Sequence, residues 1–202
     1  MLIVISDSDF KPNGAAIINQ LFQEGLDLFH IRKYGADQES LLKLIKAIDE
    51  KHHSKLVLHH HHEWGRSIGL KRFHYSEKDW EDWKIQSWSG VSSEAIYSTS
   101  VHDLETFNEL PEHVNYAFIS PVFDSISKPG YEAVKFDLEK RRNTNAKLIA
   151  LGGIQSENVN QVFEMGFDGA ALLGAIWNSD DPMNEWNLCR YAMRRVPRMN
   201  IN

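Results

Sequence analysis

KLIALGGIQSENVNQVFEMGFDGAAL, residues 147–172, contains in one stretch the unit from which the whole chain is built. Lys147 to Leu151 is an apolar run of strand length, Gly152-Gly153 interrupts it, Glu157 to Met165 carries apolar residues at helical spacing, and Gly169 to Leu172 is a second apolar run. A strand, a helix and a strand in that order imply parallel pairing through a crossover helix. Both runs are too apolar to alternate, as expected of strands buried on both faces.

Outward from this unit the same alternation continues. Strands are expected at Leu2 to Ile5, Leu28 to Ile31, Lys55 to Leu58, Phe73 to Tyr75, Ala95 to Ser98 and Tyr116 to Ile119, which with the two above make eight. Helices are expected over Gly14 to Glu24, Gln38 to Glu50, Leu104 to Leu110 and Phe136 to Arg142, with a weak one around Trp64 to Ile68. The Trp80, Trp83 and Trp88 region is irregular: a lid, a surface buried by a partner, or packing on the flank. Eight successive βα units point to an α/β chain folded as one (β/α)₈ barrel, because closing a parallel sheet removes both edges. An open doubly wound sheet is the rival, but Ser6-Asp7-Ser8-Asp9 is not the glycine-rich turn such a sheet carries after its first strand. The length of 202 residues suits a single domain over 1–202.

Composition narrows the partners. No stretch approaches the roughly 20 apolar residues of a membrane span, and the first residues read as a strand, so a cytoplasmic protein is expected. The net charge of −6 argues against a nucleic-acid partner. The lone Cys189 has a structural reading on a late helix, and Arg190, Arg194, Arg195 and Arg198 read as a solvated helix face.

Barrel enzymes place their chemistry where strands end at the C-terminal face. The residues there are His30 and Arg32; His59 and His60; His74, Ser76 and Asp79; Ser98, Ser100 and His102; Ser125, Ser127 and Lys128; then Gly152, Gly153 and Gly174. Gly152-Gly153 lets backbone approach a phosphate closely, with a following helix N-terminus adding positive charge, although such a pair also makes an ordinary tight turn. Ser125, Ser127 and Lys128 can serve an anion or be a polar loop. Arg32 is placed at the mouth for an anion or a ring, or for an ion pair with a loop carboxylate. In the run His59-His60-His61-His62 alternate side chains diverge, so at most two face one centre, and no physiological metal is expected. His102 is the first candidate for acid/base work, because an imidazole exchanges protons near neutral pH.

These residues are the ones that resemble the thiamine-phosphate synthase/TenI family. Ala150-Leu151-Gly152-Gly153-Ile154, with Asn158 and Met165 to Ala171, is similar to its A-I-G-G-I…N…G-A-D-G-V-A stretch. Ser98 to Glu105, Tyr116 to Lys128 and His74 to Asp79 resemble three further family elements. The resemblance implies two reactions. A synthase joins hydroxymethylpyrimidine diphosphate to thiazole phosphate with Mg²⁺ held by two aspartates; a TenI-like tautomerase moves a proton on a thiazole phosphate without metal. Asp79 matches one metal aspartate, but His59-His60 replaces the Asn-Asp pair bearing the other, and His30-Ile31-Arg32-Lys33-Tyr34 keeps only the arginine of Q-x-R-x-K. Arg32, His30, His59, His60, Ser100, Ser125, Ser127 and Lys128 then fall on the substrate and pyrophosphate side, with Gly152, Gly153 and Gly174 on the phosphate. The tautomerase, with His102 catalytic and no cofactor, is the preferred expectation. The Mg²⁺-dependent synthase is the alternative, and an inactive barrel that regulates by binding is a third. Homo-oligomers are common in the family and one is expected here.

Overall fold

The computed structural model describes residues 1–79, 94–124 and 132–194. Eight parallel strands close a barrel: β1 Leu2–Ile5, β2 Leu28–Ile31, β3 Leu56–Leu58, β4 Arg72–Tyr75, β5 Ile96–Val101, β6 Val114–Ile119, β7 Lys147–Leu151 and β8 Gly169–Leu172. Each pairs with the next, and β8 returns to β1 through Leu2↔Ala170 and Val4↔Leu172. The expected strand order and count are those observed. Among the described residues no helix is long and apolar enough to cross a membrane.

Period two within each strand sorts the side chains into two cores. Leu2, Val4, Phe29, Ile31, Leu56, Leu58, Ala117 and Ile119 face outward and bury the helices' apolar stripes. Ile3, Ile5, Leu28, Val57, Tyr116, Phe118, Ile149 and Ala171 point into the barrel. His30, His59, His74 and Ser98, all buried, share that enclosed interior. The interior is therefore apolar beside β1, β7 and β8, and from β2 to β6 polar side chains sit among apolar ones.

Helix α1, Gly14–Gln23, offers Ile18, Leu21 and Phe22 to the outer core, and α2, Gln38–Ala47, offers Leu41 and Ile45. Asp37 starts α2 by accepting from the Ser40 amide at 2.7 Å. It stops earlier than its apolar spacing predicts, because Asn19 on α1 clamps its end. The Asn19 side chain donates to the Ala47 carbonyl at 3.1 Å and accepts from the Asp49 amide at 2.9 Å. A 3₁₀ turn, Glu50–Lys55, follows. Helix α3 is His62–Ser67, and α4 is Leu104–Asn108, capped by Asp103. Helix α5, Val159–Glu164, is shorter than the expected Glu157 to Met165; then come α6, Gly174–Trp177, and α7, Pro182–Arg194.

The helix expected over Phe136 to Arg142 is not there; only a 3₁₀ turn, Leu138–Lys140, forms. Past that turn, side chains hold the backbone amides. Asn108 Oδ1 accepts from Arg142 and Asn143, and Asn143 Oδ1 accepts from Asn145 and Ala146. The Arg141 guanidinium donates to the carbonyls of Asn143 and Ala146 and pairs with Asp168 at 2.7 Å. Arg190, expected on a solvated face, instead bridges to Glu24 beyond α1 at 2.7 Å. Arg195, Arg198 and the Trp80, Trp83 and Trp88 stretch lie outside the described residues.

Helix α7 packs across the sheet's closure by burying Cys189 and Trp186, whose indole N–H faces the Glu24 carbonyl at 3.4 Å. Trp186→Ala should cost about 3–5 kcal/mol in guanidinium denaturation through the cavity it leaves. Leu188→Ala, on the same helix but 46% exposed, should change stability by less than about 0.5 kcal/mol.

Candidate active site

Two tiers of polar side chains occupy the C-terminal half of the barrel. The lower tier is enclosed. His30 on β2 is fully buried, with Nδ1 2.9 Å from His59 Nε2 and Nε2 2.7 Å from the Tyr116 hydroxyl on β6. His74 on β4 sets Nδ1 at 2.9 Å from Ser98 Oγ and Nε2 at 3.1 Å from Ser100 Oγ, both on β5. The His59 and His74 rings stack with centroids 4.2 Å apart. Buried polar atoms need such partners, since an unpaired one costs about 1–3 kcal/mol.

Burial governs the protonation of this tier. Desolvation, reinforced by neighbouring imidazoles and arginines, holds His30 and His59 well below the ordinary histidine value. The same causes lower His74 to about 3. His62, against Phe73 and Tyr75, is lowered to about 4 by desolvation and by Arg66. Burial also raises the Tyr116 hydroxyl, so it stays a phenol. The tier is neutral at physiological pH.

The upper tier opens to solvent. His102, just past β5, is exposed, with Nε2 3.5 Å from the Glu77 carboxylate and Nδ1 3.4 Å from the Ser120 carbonyl. Arg32 has its amide held by Ser6 Oγ at 2.9 Å and its guanidinium 5.7 Å from the Tyr34 ring. Among the described residues it forms no ion pair. Lys33 turns away, donating to the Asp9 carbonyl and lying over Phe10. Asp79 is exposed and accepts from its own turn, from Ser76 Oγ at 2.6 Å.

The histidine run disperses. His59 enters the barrel, and His60 faces the Tyr34 ring with a buried Nε2 that has no hydrogen-bond partner among the described residues. His61 takes a left-handed backbone, φ 57°, and meets the Ala36 carbonyl at 3.0 Å, while His62 starts α3. At the end of β7, Gly152 and Gly153 have φ of +100° and +62°. A Cβ at Gly153 would stand 2.4 Å from the Asp124 carbonyl oxygen, and one at Gly152 3.0 Å from Pro121. The pair is thus required by the close approach of the β6 loop. Residues 154–158 separate it from α5, so a helix N-terminus does not directly follow it. Gly174 begins α6. Ser125, Ser127 and Lys128 lie outside the described residues.

Of the expected residues, the structure gathers His30, His59 and Ser100 in the lower tier, with Arg32, His60, Asp79 and His102 around the mouth. His30 is sealed below any surface that a ligand at the mouth would touch. Tyr116 and the depth of His74 were not singled out from sequence. The alternation Tyr116, Phe118 carries the signal, since it sets both on the inward face of β6.

Residues 1–176 match a family model, TMP-TENI, described as thiamine monophosphate synthase. The chain is similar to a thiamine-phosphate synthase of Prochlorococcus marinus, 25% identical over 189 residues that cover 91% of this chain and 53% of that protein. It therefore spans about half the length of that relative. A thiamine-phosphate synthase of Streptococcus suis is 25% identical over 177 residues, 82% of this chain and 76% of the relative. Among solved structures, a thiamine phosphate pyrophosphorylase from Bacteroides thetaiotaomicron aligns over 96% of this chain and 97% of its own, with TM-score 0.75 and 25% identity.

The buried imidazoles set a pH dependence. Unfolding restores His30, His59, His62 and His74 to values near 6.5, while folding keeps them lower. Their favourable contribution is therefore complete above about pH 6.5 and is lost as pH falls toward 4, by about 1.4 kcal/mol per pH unit for each extra proton on the unfolded chain. Denaturation in EDTA at pH 7.5 and 5.5 should show a loss of several kcal/mol, and a flat profile would contradict this account.

Proposed function

We propose a proton-transfer reaction for this chain, which belongs to the thiamine monophosphate synthase family: the isomerisation of a phosphorylated thiazole, with His102 moving the proton. The observation that carries this reading is the position of His102 at an open barrel mouth, one nitrogen toward a carbonyl and the other toward a carboxylate. The Ser120 carbonyl can only accept, so the neutral ring keeps its proton on Nδ1 and presents the Nε2 lone pair as the base. Glu77 stands 3.5 Å from that nitrogen. Returning the abstracted proton to a second ring position completes the isomerisation with no net gain or loss of protons. Catalytic hydrogen bonds are often this long before a substrate arrives.

Gly152, Gly153 and Gly174 are assigned to the phosphate, where backbone without side chains permits a close approach. Arg32 supplies a cation at the same mouth. Ser125, Ser127 and Lys128, on the loop after β6, are assigned to the anion as well.

The Mg²⁺ of a synthase fits the described residues poorly. Mg²⁺ takes oxygen ligands in near-octahedral geometry. Here the matching positions offer imidazole nitrogens at His59 and His60, and the one carboxylate, Asp79, is taken up by Ser76. No step is routed through that ion. The transferase, joining a pyrimidine diphosphate to a thiazole phosphate with pyrophosphate release, is the second reading; the names of the relatives favour it. In either case the proposal is an enzyme of thiamine biosynthesis.

Incubating the protein with carboxythiazole phosphate alone should yield metal-independent isomerisation, lowered roughly 10²–10⁴-fold in His102→Ala. Full activity in that variant would remove His102 from the mechanism. Pyrophosphate release from the two substrates only when Mg²⁺ is added would replace this reading by the transferase. Ligand binding with no turnover of any substrate would make the barrel a binding protein.

A further inference from the structure

Three imidazoles from different parts of the sheet meet inside the barrel. His30 of β2, His59 just past β3 and His74 of β4 are 0%, 7% and 3% exposed. One ring nitrogen from each lies within 4.8 Å of the other two. We infer that His30, His59 and His74 form a site for a divalent transition-metal ion of the zinc class, with a fourth position beside Ser100 for water or a ligand oxygen.

The donor chemistry is the first argument. Three neutral imidazoles suit Zn²⁺, Co²⁺ or Ni²⁺ and offer nothing to Mg²⁺. Three histidines and one open position make a recurring four-coordinate zinc arrangement. Geometry is the second. Nitrogens about 2.0–2.1 Å from a tetrahedral centre stand roughly 3.4 Å apart. The His30 Nδ1 to His59 Nε2 distance is 2.9 Å, and the widest separation has to close by at most about 1.5 Å, a matter of side-chain torsions.

The partners of the remaining nitrogens are the third argument. A metal-bound histidine donates its other ring N–H to a fixed acceptor, which sets the tautomer and the ring plane. With Nδ1 of His30 on the ion, its Nε2–H would donate to Tyr116 Oη at 2.7 Å. With Nε2 of His74 on the ion, its Nδ1–H would donate to Ser98 Oγ at 2.9 Å. Ser98 Oγ in turn lies 3.5 Å from the Phe73 carbonyl. The ion would be enclosed by buried side chains, whereas His102 and Asp79 are exposed. This inference is independent of the proton-transfer reading, because metal content is measured without turnover.

The full chain, made without an affinity tag and stripped with EDTA, is titrated with Zn²⁺, Co²⁺ and Mg²⁺. One equivalent of Zn²⁺ or Co²⁺ is expected, the latter with the intense visible bands of four-coordinate cobalt, and no uptake of Mg²⁺. His30→Gln and His59→Asn should each weaken Zn²⁺ binding at least about 100-fold. Tyr116→Phe should weaken it about 10–100-fold. Circular dichroism in EDTA identifies any variant that fails to fold, and His61→Gln, outside the site, should bind as the parent does. No stoichiometric uptake, or the faint bands of six-coordinate cobalt in the parent protein, would overturn the site without recourse to a variant. Binding that survives both His30→Gln and His59→Asn but is lost in His61→Gln would assign the metal to the surface run instead.

Discussion

Closing eight strands into a barrel turns one side chain in two toward a narrow interior, where a polar atom must find its partner among its neighbours. The hydrogen-bonded pair of His30 and His59, extended to Tyr116, meets that demand. So does His74, held between Ser98 and Ser100. An imidazole is well suited to this role, since its neutral form offers one donor and one acceptor in opposite directions. The cost of enclosing these rings appears as their depressed affinity for protons, and it couples the core of the protein to pH.

Above that layer the requirements change. His102 is exposed, and its nitrogens face groups on two different segments, Glu77 after β4 and Ser120 after β6. Exposure lets an imidazole exchange protons with solvent and with a ligand, which a sealed one cannot do. Adjacent strands thus send one histidine inward, His74 of β4, and present another at the open mouth, His102 just past β5. Two neighbouring tiers with opposite solvation allow one barrel end to carry both an enclosed nitrogen cluster and an open acid/base group.

The loop after β7 shows how packing and chemistry share residues. Gly152 and Gly153 are needed because the Pro121 to Asp124 backbone lies against them and because their φ values are positive. That packing explains the pair without any ligand. It also leaves a segment of bare backbone beside the mouth, the property a phosphate contact would use. One constraint therefore serves both readings.

What the sequence determined by itself was the architecture. The repeated strand and helix periods, with apolar runs such as Leu148 to Leu151, are local signals, and local signals survive in one dimension. It also placed His102, Arg32 and Gly152-Gly153 at one face, because strand ends in a parallel barrel lie together. The absence of a helix at Phe136 to Arg142 was not legible. The chain leaving that segment is held by Asn108, whose side chain accepts from the Arg142 amide 34 residues away. Nor was the meeting of His30, His59 and His74. The run at 59–62 draws the eye to itself, yet only His59 joins the cluster, and its companions come from β2 and β4. Spacing along a chain reports neighbours on one element, whereas cross-strand register decides which side chains share a point in space.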